Sequence, residues 1–137
     1  MKRHLAAAAA MLLLSATAAA SESVRVRTGE HEGFTRIALD LPAPLDWTLE
    51  ADGDGALLRL QAEDIAFDLE GAFRRIGRDR LAALEPGAEP GTLRLALACD
   101  CRLETHLNGP RMLVIDVADA APPIARDQAP RPAARPW

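Results

Sequence analysis

The chain has 137 residues with 16 basic and 20 acidic side chains, a formal charge of −4, 49% hydrophobic residues and no tyrosine. That length fits a single domain with a core, and the acidic balance excludes the basic footprint that a nucleic-acid partner requires. Two cysteines are too few for a disulfide scaffold, so apolar burial has to stabilise the fold.

Residues 1–20, MKRHLAAAAAMLLLSATAAA, begin with Lys2 and Arg3, continue through an apolar run from Leu5 to Leu14 and end in small residues. This layout predicts a secretory signal peptide cleaved near Ala20. The apolar run is too short and alanine-rich to span a bilayer, and no cysteine stands at the cleavage site to carry a lipid anchor. The expectation is a periplasmic protein with no stable membrane insertion. Loss of Lys2 and Arg3 makes the remainder more acidic still.

Beyond this segment, strand alternation recurs and helical periodicity almost never does. SVRVRT sets Val24 and Val26 against Arg25 and Arg27, and FTRIALDL sets Ile37, Leu39 and Leu41 against Arg36, Ala38 and Asp40. GEHEG between them reads as a hairpin connection. After the PAP stop, LDWTLEA alternates through Leu45, Trp47 and Leu49, DGDG turns the chain, and ALLRLQ forms the next strand.

Ile65, Phe67 and Leu69 alternate as a strand, and then the period changes. Leu69, Phe73 and Ile76 fall at i, i+4 and i+7, which predicts one short helix capped by Gly77 in the αL conformation. RLAALE is a further strand, and the turn-rich PGAEPG leads into LRLALACDCRLETHL, which reads as one long strand. After the turn at Asn108 to Pro110, RMLVIDVAD ends the domain with Leu113, Ile115 and Val117 on one face. Residues 119–137 are rich in proline, alanine and arginine, a composition that predicts a disordered or polyproline-like tail.

About eight short strands, one short helix and no βαβ rhythm predict an all-β domain over residues 21–118. The predicted architecture is a small β-sandwich, with a small β-barrel as the alternative.

In the long strand, Leu93, Leu95, Leu97, Cys99, Cys101 and Leu103 share one parity. Regular pleating therefore puts both cysteines on the apolar face, where free thiols behave as small hydrophobes. The alternative is a disulfide, since an exported chain meets an oxidising compartment. Strand residues at i and i+2 stand ~6.6–6.8 Å apart at Cα, so a bridge needs a bend or bulge at Asp100.

No nucleophile motif or phosphate loop occurs, the hydroxyl residues are scattered, and His31 and His106 read as turn residues, so no enzyme, metal site or cofactor is expected. Candidate ligand-binding residues are arginines. Arg74, Arg75, Arg78 and Arg80 cluster on the short helix and after it, the first three of them being the candidates, and Arg36 needs a cross-strand partner or a ligand.

GFTRIALDL and MLVIDVAD, with short strands and an N-terminal signal peptide, resemble the AMIN (amidase N-terminal) domain. Gly33, Thr35, Arg36, Ile37, Leu39, Asp40 and Leu41 match its first strand motif, and Leu113, Val114, Ile115 and Asp116 match its later one. The Cys-Asp-Cys stretch is a departure from that pattern. The resemblance implies an accessory β-sandwich of the cell envelope that binds peptidoglycan or localises to an envelope assembly, and it names no catalytic residue. The alternatives are a small periplasmic thiol-disulfide protein using Cys99 and Cys101, and a structural module that pairs with another envelope protein.

Overall fold

A computed structural model describes residues 22–120. The signal peptide expected over residues 1–20 and residues 121–137 of the expected tail lie outside the described residues.

Nine strands follow one another along the chain: β1 (Glu22–His31), β2 (Phe34–Asp40), β3 (Trp47–Asp52), β4 (Gly55–Leu60), β5 (Ile65–Asp68), β6 (Leu81–Pro86), β7 (Thr92–Leu97), β8 (Arg102–Asn108) and β9 (Met112–Ala118). They form a five-stranded sheet in the order β5-β1-β2-β9-β8 and a four-stranded sheet in the order β3-β4-β7-β6. The two sheets stay separate, which makes the domain a β-sandwich and not a closed barrel. Every pairing is antiparallel except β1 with β5.

Parity builds the core. Val24, Val26, Ile37, Leu39, Leu113, Ile115 and Val117 point inward from the five-stranded sheet and meet Leu58, Leu60, Leu81, Leu84, Leu93 and Leu95 from the other, all of them buried. Aliphatic side chains that interdigitate between two sheets remove water from both inner faces, and each fully buried leucine or isoleucine stabilises by about 1.5–3 kcal/mol. Strand β9 is buried on both faces, because Val114, Asp116 and Ala118 on its outer side are also covered. Its neighbours β2 and β8 flank it along its whole length.

The turns follow the glycines. Gly33 adopts φ +85° in the Glu32–Gly33 connection that joins His31 to its partner Phe34. Strand β1 therefore runs to His31, and only the last part of GEHEG is turn. Gly55 serves another purpose: a Cβ there would overlap the carbonyl oxygen of Leu95 across the β4–β7 ladder, so only hydrogen fits.

Two expected elements differ. The helix expected over residues 69–77 is absent, and the segment is a series of turns. Ala72 N–H donates to Leu69 C=O at 3.1 Å and Arg74 N–H to Gly71 C=O at 3.1 Å, both i→i−3 bonds, and Gly71 takes φ +79°, outside helical geometry. Gly77 is not in the left-handed region and caps nothing. The positive φ of Gly71 interrupts a helical path at its start, and Ala72 and Ile76 are buried individually instead.

The single long strand expected from Leu93 to Leu107 is two strands in different sheets, which is why nine are present and not eight. The chain bends at Ala98–Asp100, and β7 and β8 keep their common parity across the break: Leu97, Cys99, Cys101 and Leu103 all pack against the core.

Candidate functional site

The outer face of the five-stranded sheet carries the richest set of polar and aromatic side chains. Register fixes its rows: His31 lies beside Phe34, Ala118 and Arg102; Gly29 beside Arg36, Asp116 and Glu104; Arg27 beside Ala38, Val114 and His106. His106, expected in a turn, is therefore mid-strand in β8.

Arg36 finds its cross-strand partner in Asp116. Its Nε donates to Oδ1 at 2.8 Å and its Nη2 to Oδ2 at 2.9 Å, the two-pronged geometry that suits guanidinium and carboxylate. The side chains are 39% and 10% exposed respectively, so the pair is open to water on the arginine side and nearly closed on the aspartate side. Hydrogen bonding to Asp116 raises the Arg36 guanidinium pKa above its ordinary value, against a smaller lowering by burial. The guanidinium also lies 5.3 Å from the Phe34 ring centroid, and Phe34 stacks on His31 with centroids 4.6 Å apart and an interplanar angle of 8°. Arg27 grips Asp40 in the same two-pronged manner at 2.9 and 3.0 Å.

The other three candidate arginines lie elsewhere, on the β5–β6 connection. Arg74 approaches Glu70 at 3.6 Å with both side chains largely exposed. Arg78 lies over the Phe73 ring at 3.9 Å and donates to the Ala82 carbonyl at 2.5 Å. Arg75 is exposed and makes no ion pair among the described residues. This connection reaches the inward side of β1, where Thr28 donates to the Ala72 carbonyl, whereas Arg36 points to the outer side of the sheet. The structure thus separates Arg36 from the loop arginines.

Arg80, the last of the clustered arginines, holds one end of the sandwich together. It donates from Nε to Asp119 Oδ1 at 2.7 Å and from Nη2 to Oδ2 at 3.1 Å, and it reaches Glu30 at 3.3 Å. The buried Thr35 hydroxyl donates to that same Glu30 carboxylate at 2.7 Å. The hydrogen bonds from Arg80 push the Asp119 carboxyl pKa below its ordinary value. Local spacing does not show this role, because its partners Glu30 and Asp119 come from two distant segments.

Cys99 and Cys101 are joined as a disulfide where the chain passes from β7 to β8. Their Cα atoms are 5.1 Å apart, inside the usual range, because the bend at Asp100 shortens the strand spacing. So small a closed loop restricts the unfolded chain little. Reduction is therefore expected to lower unfolding free energy by no more than about 1.5 kcal/mol, checked by urea titrations with and without a dithiol.

The disulfide borders a cleft of about 590 Å³ whose other wall is Gly53, Asp54 and Gly55 of the β3–β4 turn. A neighbouring cleft of about 440 Å³ is more apolar and opens between the edge strands β3 and β8, lined by Trp47, Leu49, Leu97, Leu103 and Thr105. None of the four candidate arginines lines either cleft. Among the described residues no three His, Cys, Asp or Glu side chains converge to hold a metal ion. Compared with protein-family models and with curated proteins, the chain matches none.

Proposed function

We propose that this is a non-enzymatic, exported cell-envelope domain of the AMIN kind, which binds peptidoglycan through the outer face of its five-stranded sheet. One observation carries the reading. The two segments that resemble the family are β2 and β9, adjacent strands joined by the Arg36–Asp116 pair, and they lie on the face that also presents Arg25, Arg27, Phe34 and His31. Arginines suit the carboxylates of wall peptides, and the stacked rings suit the apolar faces of sugars. Arg25 is exposed on this face with Asp68 and Asp40 beside it in the ladder.

Co-sedimentation with purified cell-wall sacculi tests this. The exported protein is expected to be enriched several-fold over an unrelated acidic protein at low salt, with the enrichment falling as salt screens the charges. Arg25→Glu/Arg27→Glu should abolish it, and Arg74→Glu/Arg75→Glu should leave it intact. Loss only in the second variant would move the site to the β5–β6 connection, and no enrichment at all would remove wall binding.

The joined sulfurs beside an open cleft favour a second reading, a small thiol-disulfide protein. Rapid exchange with a dithiol, followed by alkylation and mass measurement, would support it, and a bridge inert to dithiols while the protein stays folded would end it.

A further inference from the structure

An edge strand leaves one row of backbone N–H and C=O groups without a ladder partner, so edges decide what else a sheet can pair with. The described sandwich has four: β5 and β8 in one sheet, β3 and β6 in the other. Three of them are poor templates for a second copy. Strand β5 is four residues long, β6 has a register shift between Leu81 and Ala83 and ends at Pro86, and β3, WTLEAD, carries Glu50 and Asp52 but no basic residue to face them from a second copy.

Strand β8 has none of these features. Its seven residues, RLETHLN, pair regularly with β9 from Arg102 to Asn108, and they include both signs of charge. Leu107, 50% exposed, is the exposed large hydrophobic side chain among the described residues. The apolar cleft lined by Trp47, Leu49 and Leu103 opens along the same side.

We propose that β8 pairs antiparallel with β8 of a second copy of this chain, about a two-fold axis at Thr105. Thr105 is the middle residue of Arg102–Asn108, so this register alone pairs all seven positions. Arg102 then faces Asn108, Leu103 faces Leu107, Glu104 faces His106, and Thr105 faces its own copy. Residues opposite each other point to the same side of the sheet. On the inner side Leu107 gains an apolar neighbour, and on the outer side the Glu104 carboxylate accepts from the imidazole N–H. A shift of two residues in either direction sets Glu104 against Glu104 or His106 against His106, and unlike cross-strand pairs stabilise where like charges do not. The contact is a single pair of strands, so the dimer is weak and depends on concentration.

Sedimentation equilibrium of the exported protein, from the micromolar into the millimolar range, tests the proposal. The parent is expected to show a monomer–dimer equilibrium, weakened about tenfold or more by Leu107→Glu and by Glu104→Arg. The exchanged variant Glu104→His/His106→Glu restores the complementary pair and should dimerise like the parent. Circular dichroism at dilution checks that each variant is folded, since all three positions are exposed. A parent that stays monomeric throughout, a dimer that survives both single substitutions, or an exchanged variant that remains monomeric would each overturn the proposal.

Discussion

Arg36→Ala is expected to lower the unfolding free energy by about 2–3 kcal/mol, read from urea denaturation at neutral pH. The cost arises less from the lost attraction than from what remains: the Asp116 side chain is 10% exposed and would lose both hydrogen bonds that Arg36 donates to it. Because the guanidinium itself is 39% exposed, water can replace part of what it supplies, and the loss falls below that of breaking a fully buried pair. Replacing both partners, as Arg36→Val/Asp116→Val, leaves no orphaned carboxylate and puts two strand-forming side chains on facing positions. The double variant should be more stable than Arg36→Ala. A double variant as unstable as the single one would show that the pair itself, and not the stranded charge, sets the loss.

Gly55→Ala is expected to cost about 3 kcal/mol, the upper part of the range for overfilling a packed site. The added methyl group would overlap the Leu95 carbonyl oxygen, a backbone atom that cannot swing away as a flexible side chain can. Either β4 or β7 has to move, and Ala56 and Leu95, which pair beside the contact, are both buried. Gly109→Ala is the matched comparison: at φ +73° it strains the backbone, but nothing lies within 4 Å of the new methyl group. It should cost only about 1 kcal/mol. Thermal melts of the two variants side by side separate collision from conformational strain.

The faces of the strands were legible in the sequence because parity is local: Ile37 and Leu39, or Ile115 and Val117, declare their common side whatever they pair with. The need of Arg36 for a partner was legible for the same reason, but Asp116 lies 80 residues away, and only sheet order decides which aspartate arrives opposite. The break between Leu97 and Arg102 was hidden because the chain changes sheets without changing parity. Alternation reports which side is apolar and is silent about which sheet supplies the neighbours. Residues 69–77 misled in the opposite way. Leu69, Phe73 and Ile76 have helical spacing, yet each packs against the core from a chain of successive turns, and burial of three side chains does not require a continuous helix between them.

The sheet order β1-β2-β9 has a mechanical consequence. Strands β1 and β9 are each antiparallel to β2, so they run parallel to one another, with Glu22 at one pole of the sandwich and Ala118 at the other. Tension applied at these two residues pulls β1 and β9 in opposite directions along their own axes. The ladders to β2 are then sheared as a set of bonds that must yield together and are not unzipped one after another. A domain tethered between an anchored structure and a moving one would act as a stiff link under load, and it would give way far more readily if the same force peeled β8 from its edge.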